Sequence, residues 1–397
     1  MSKRNVLLVA VLAAALAAST AVGAQLNFGG DLGFILFDVS SGSGIQPSRD
    51  SLGNPVPVPY GDTTGRVNTF FHILDLYYNV QLTDQISVNA ITEVEGTSTG
   101  ASPSLGKKLG TQQGGAGTLK ALSVSEAYIQ VMLPWELQMT TGILRPIFSE
   151  DYGETKGYQE ANRFFKSSAN AYGGDWHDLG VEFYKSFEPG GGFSIPAYAY
   201  LLAGEQTYGD DNSNKTLLFH VAPSFWKLRV LGSYGFGKDG NPPNEEPWSR
   251  YAFGLGGDFS KFWFRTEFFS GSWAGARVFN HKPGGGVDTT TYTRKPVAYY
   301  VKAGYNFIPD KLGLVLVYDQ SSPDWTTWGK LGYTSGGSNA TTEATESYTT
   351  IGAIVQYWVI PGSAVLIEYD RGMWKVGDGT LCELDFNRFT IGWRTIF

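Results

Sequence analysis

Charged side chains carry most of the chemistry available to this chain, and one stretch gathers both signs. Between Pro146 and Trp176 lie Glu150, Asp151, Glu154, Glu160 and Asp175, beside Lys156, Arg163 and Lys166. Carboxylates held against basic groups across a confined gap create a transverse field, which orders water and sorts solutes by charge and dipole. The wall opposite would need bases, and Lys227, Arg229, Arg265, Lys302, Arg388 and Arg394 all fall on the polar phase of alternating runs. Glu93, Glu95, Glu126, Glu182, Glu267, Asp319 and Glu368 share that phase. Pairing between the two sets is expected, because unpaired charges in a confined space are costly. The plainer alternative is a solvated loop whose charges only maintain solubility.

Catalytic spacing is not apparent. None of the four histidines, His72, His177, His220 and His281, sits in an H-E-x-x-H pattern, and no G-x-S-x-G turn precedes a helix. His177 lies between Asp175 and Asp178, where an acid could orient it. A hydrolase would still need a serine brought to the site by tertiary structure. The single cysteine, Cys382, excludes an internal disulfide framework and a multi-cysteine metal site. No cofactor is expected, and C-x-x-C-H haem attachment is absent. The formal charge is −7, and loss of Lys3 and Arg4 with a leader would take it to about −9. A basic nucleic-acid footprint is therefore missing. Trp135, Trp226, Trp263, Trp358 and Trp393 fall near strand ends, which for most of them suits interfacial girdle residues better than a stacking surface for sugars.

Strands must position these groups. Phe389, Ile391, Trp393 and Phe397 alternate with Arg388, Thr390, Gly392 and Arg394, so one face is apolar and the other polar. Leu74, Leu76, Tyr78, Val80 and Leu82 alternate in the same way with Asp75, Asn79 and Gln81, as do Ile86, Val88, Ala90 and Val94 with Asn89, Glu93 and Glu95. Apolar outside and polar inside suits a closed barrel in lipid around a wet lumen. Residues 1–24 read as a cleaved signal peptide, with Lys3 and Arg4, an apolar run from Val6 to Ala18, and small residues Val22, Gly23 and Ala24. Residues 25–397 read as one barrel.

Seven tight turns are expected: Thr83–Gln85, Pro134–Glu136, Glu188–Gly191, Ala222–Ser224, Asp258–Lys261, Ile308–Lys311 and Ile360–Ser363. Eight long loops, near 40–65, 96–118, 146–176, 204–215, 237–249, 271–295, 321–346 and 371–381, alternate with them. Fifteen connections make sixteen strands. The fold class is thus all-β, an antiparallel transmembrane β-barrel of about sixteen strands, too wide for side chains to fill.

The signal, the alternating strands, the long third loop and the terminal Phe397 resemble a Gram-negative outer-membrane porin. The stretch Gly142-Ile143-Leu144-Arg145-Pro146-Ile147-Phe148, leading into Asp151-Tyr152-Gly153, is similar to the phosphate-selective porin O/P-like group. The resemblance implies a channel for passive diffusion of ions and small hydrophilic solutes, with loop 146–176 folded into the pore. It also implies a homotrimer in outer-membrane lipid and lipopolysaccharide, with a C-terminal strand read by the barrel-assembly machinery. The acids on the polar phase depart from a pure arginine and lysine ladder, so a mildly cation-selective channel is expected before a phosphate-selective or other anion-selective one. Other readings are a barrel sleeve for a partner such as a cytochrome, a surface adhesin or receptor, and an outer-membrane hydrolase.

Overall fold

The computed structural model describes residues 25–49, 55–62, 68–95, 123–150, 177–204, 214–239, 246–281, 287–322, 346–376 and 382–397. The chain runs through β1 (Gln25–Arg49), β2 (Pro55–Asp62), β3 (Asn68–Thr83), β4 (Ile86–Glu95), β5 (Ser123–Leu133) and β6 (Leu137–Leu144). It continues through β7 (Asp178–Gly190), β8 (Phe193–Leu202), β9 (Thr216–Val221), β10 (Ser224–Phe225), β11 (Leu228–Asp239) and β12 (Glu246–Phe259). The remainder is β13 (Phe262–His281), β14 (Val287–Arg294), β15 (Val297–Ile308), β16 (Leu312–Ser322), β17 (Glu346–Ile360), β18 (Ser363–Val376) and β19 (Cys382–Ile396). All belong to one antiparallel sheet, whose two ends meet where β1 pairs with β19.

These elements form a closed barrel of 16 strands, as the alternation predicts. Two of the nineteen are ribbons that prolong neighbours beyond the wall: β2 pairs with the far end of β1, and β14 with the far end of β13. Parts of the expected loops near 40–65 and 271–295 are therefore paired strands. Hydrogen-bonding in register from Gly42↔Asp62 to Arg49↔Pro55 satisfies backbone that a loop would leave to water. β9 and β10 act together as one stave, since both pair with β8 and β11.

The expected turn at Ala222–Ser224 is a correction. The chain reverses at Trp226 and Lys227, and Ala222 and Pro223 only interrupt the stave. Proline has no N–H to give the ladder, so it breaks pairing without needing to reverse the chain. Its carbonyl still accepts from Val230 at 2.9 Å, and the Ala222 amide donates to the carbonyl of Pro196 on β8 at 3.0 Å. The other six tight turns connect strands where expected.

Period-two burial separates the faces. On β15, Val297, Tyr299 and Val301 are exposed, whereas Ala298, Tyr300 and Lys302 are buried. The exposed side carries Phe253, Leu255, Phe268, Leu316, Ile351, Val355 and Ile367, an apolar band around the wall. No helix among the described residues is long and apolar enough to cross a membrane. At the closing seam, Gly30 and Phe397 exchange two backbone hydrogen bonds of 2.9 and 3.0 Å. The ring of Phe397 also lies 6.2 Å from that of Phe28. Inside the seam, Arg394 grips both carboxylate oxygens of Asp31, through Nε at 2.9 and 3.0 Å and through Nη2.

The tryptophans divide in a way their positions near strand ends do not reveal. Trp135 and Trp226 are exposed in turns. Trp263 and Trp358 have the opposite phase to their exposed neighbours Phe262 and Tyr357 and turn inward. There Trp263 packs on Val315, Val317 and Ile354, and Trp358 on Ala364 and Leu366. The inner wall is thus partly apolar, and these two are not girdle residues.

Candidate functional site: a loop clasped to the inner wall

The segment that leaves β6 turns into the lumen and is fastened there residue by residue. Gly142 permits the departure: its φ is +141°, and a Cβ would stand 2.2 Å from the carbonyl oxygen of Ala127. The Ile147 amide donates to the Tyr200 hydroxyl on β8 at 3.2 Å. Phe148 is buried in an inner apolar cluster with Leu144, Tyr200, Leu218, Phe269 and Tyr300. Its carbonyl accepts from Ser233 on β11 at 2.7 Å. Ser233 has one proton and spends it on that carbonyl, so the 2.7 Å contact to His220 Nδ1 requires the imidazole to donate.

Glu267 on β13 is the centre of the clasp. One carboxylate oxygen accepts from Ser149 Oγ at 2.7 Å and from the Tyr300 hydroxyl at 2.6 Å. The other accepts from the Glu150 amide at 3.0 Å. These three contacts occupy both oxygens of the carboxyl group.

This clasp aims the Glu150 side chain at bases on the wall. Its carboxylate pairs with Arg229 on β11 and lies 3.5 Å from Arg265 Nε on β13. Arg265 is itself held by Asp258, through two 2.9 Å contacts to Nη2. Lys302, buried over the Tyr300 ring at 4.8 Å, adds its charge to the same spot. Burial pushes the Glu150 carboxyl above the ordinary glutamate range, and Arg229, then Arg265, draw it back down.

Of the residues singled out from sequence, Glu150, Arg265 and Lys302 therefore meet, together with Arg229. Arg394 lies apart at the seam with Asp31, and Arg388 stands on β19 opposite Asp370 and Ser40. Lys227 is in a turn beside Trp226 and not on the wall. Glu93 and Glu95 stand on β4 opposite Asp75 and Ile73, with side chains outside the described residues. Asp151, Glu154, Glu160, Arg163 and Lys166 also lie outside the described residues, as does the leader 1–24. His177 faces Glu126 at 3.9 Å. Among the described residues no group of three or more His, Cys, Asp or Glu could hold a metal ion.

Sequence reasoning passed over the hydroxyl donors Tyr200, Ser233 and Tyr300, whose inward strand phase was the available signal, and Ser149, which lies beyond β6 and carries no such phase. It also passed over Arg250, whose guanidinium lies over the rings of both Trp248 and Trp273, at 4.3 and 4.6 Å. These add to the inner wall one stacked cation above the clasp.

No family model and no curated protein matches the sequence. Solved structures do match in fold. OmpT, an outer membrane protein of Vibrio cholerae (trimer form), is 13% identical with a TM-score of 0.53, over 94% of this chain and 99% of that one. The outer membrane channel DcaP of Acinetobacter baumannii is 14% identical with a TM-score of 0.55, over 94% and 97%. An anion-selective porin from Comamonas acidovorans is 11% identical with a TM-score of 0.52, over 94% and 100%. The shared property is the outer-membrane type of barrel.

Proposed function

We propose that the chain forms a water-filled pore in a Gram-negative outer membrane, for passive diffusion of ions and small hydrophilic solutes. The observation that carries this reading is Glu150, set by an infolded segment against Arg229 and Arg265 inside a sixteen-stranded barrel. A barrel of that size leaves an aqueous channel, and opposed charges across it form a filter. Residues 1–24 serve as the exported leader in this reading. A homotrimer is supported by analogy with the trimer form of its structural neighbour. Lipid, lipopolysaccharide and the assembly machinery remain its expected surroundings. The acids Glu182, Glu267, Asp319 and Glu368 on the inner face favour a mild cation preference over phosphate selectivity.

Planar-bilayer recording of the purified protein tests this directly. Stepwise conductance in potassium chloride is expected, and its absence ends the channel reading. A reversal potential under a salt gradient reports selectivity, and a strong anion preference would revive the phosphate-channel alternative. Selectivity should also follow pH. Since Glu150 titrates above the ordinary glutamate range, acidification removes its negative charge early, which takes the carboxylate from Arg229 and leaves Arg265 opposed by Asp258 alone. The reversal potential then moves toward anions as pH falls, with a midpoint higher than for a solvated glutamate. Glu150→Gln should show the low-pH selectivity at neutral pH and lose that step.

A further inference from the structure

Just below the clasp, one carboxylate on the inner wall is surrounded by tyrosines. Glu182 on β7 accepts a hydrogen bond from Thr140 Oγ1 on β6 at 3.2 Å and another from the Tyr200 hydroxyl on β8. Both donors are neutral. Among the described residues no basic side chain pairs with Glu182, in contrast to Glu150 with Arg229 and Asp31 with Arg394. Tyr128 on β5 and Tyr198 on β8 lie within electrostatic reach of the same carboxylate.

The rings are continuous. Tyr184 and Tyr198 stand opposite each other in register, with centroids 4.6 Å apart. Tyr198 and Tyr200 stack at 6.2 Å with planes only 4° from parallel. Glu182, Tyr128, Tyr184 and Tyr198 are half-buried, so each keeps part of its surface open to the lumen. Tyr200 also accepts the Ile147 amide, which fixes this patch immediately beside the narrowing.

A π surface attracts cations through its quadrupole, and a carboxylate solvated only by hydroxyls keeps most of its field. A bare alkali ion gains little from such a wall, because it holds its water tightly. An alkylammonium ion is weakly hydrated, offers methyl groups to the rings and a positive charge to the carboxylate. We infer that Glu182 with Tyr128, Tyr184, Tyr198 and Tyr200 forms a lumenal binding site for small organic cations of the quaternary or alkylated ammonium class. This goes beyond the pore reading and relies on it only for access through the lumen.

Choline and its neutral carbon isostere, 3,3-dimethylbutan-1-ol, are the probes. In planar bilayers choline chloride should interrupt the potassium chloride current in a concentration-dependent manner, and the isostere should not. Glu182→Gln and Tyr198→Leu should each weaken choline about tenfold, ~1.4 kcal/mol, whereas Tyr198→Phe keeps affinity within about twofold. Both conservative variants preserve side-chain volume, so the barrel survives them. Equal effects of choline and the alcohol, or an unchanged response in Glu182→Gln, overturn the site. Broadening of the choline N-methyl NMR signal by the protein in detergent micelles separates the two readings. Current steps without broadening leave a pore lacking the site, and broadening without steps leaves the site on a barrel that does not conduct.

Discussion

Asp31→Asn should weaken the folded barrel by about 3–5 kcal/mol, the range for a buried ion pair that loses one partner. Asp31 is 1% exposed, and Arg394 reaches it across the seam with bonds to both carboxylate oxygens. Removing the negative charge leaves a guanidinium in a pocket shaped for a carboxylate, at the place where the first and last strands meet. That seam joins residues far apart in sequence, so much of the ordering entropy must be spent before its bonds form. Equilibrium urea unfolding in lipid vesicles measures the loss. The double variant Asp31→Leu/Arg394→Met should recover most of it, since no charge is then stranded. A single-variant loss below about 1 kcal/mol would mean that lumenal water screens the pair.

Glu267→Ala should widen the pore. Its carboxyl group receives Ser149, Tyr300 and the Glu150 amide, and such hydrogen bonds contribute about 0.5–1.5 kcal/mol each. Without that acceptor, two of the attachments of the infolded segment vanish together, and Glu150 is no longer aimed at Arg229 and Arg265. Single-channel conductance should rise roughly 1.5- to 2-fold, with a weaker pH dependence of selectivity. Ser149→Ala removes one bond and should shift conductance much less. Unchanged conductance in Glu267→Ala would show that Tyr200, Ser233 and the burial of Phe148 hold the segment without it.

The wall was legible in the sequence because alternation is a local signal. Arg265, Lys302 and Arg394 each had an inward phase fixed by immediate neighbours, and the structure keeps those phases. Pro309 and Pro361 mark real reversals, while Pro223, of the same residue type, marks only an interrupted stave. The difference lies in whether the next strand can re-form a ladder, which β10 does for two residues. Trp263 and Trp358 were misplaced for a related reason: nearness to a strand end is a weaker guide than parity. The clasp was out of reach altogether. Ser149 and Glu267 are 118 residues apart, and nothing local joins them. Glu182 was visible as an inward acid, but all of its tyrosine surroundings except Tyr184 come from two other strands, β5 and β8.

The two neighbouring prolines, Pro196 and Pro223, have a mechanical consequence. Each supplies a carbonyl to its neighbour and withholds an amide, so one ring of cross-links around the cylinder lacks two adjacent members. Backbone left without a partner is tolerated where solvent can reach it and not in hydrocarbon, which assigns this level to a wet rim. Under heat the cylinder parts there first, and deuterium enters from that edge well before it reaches the staves on the opposite side.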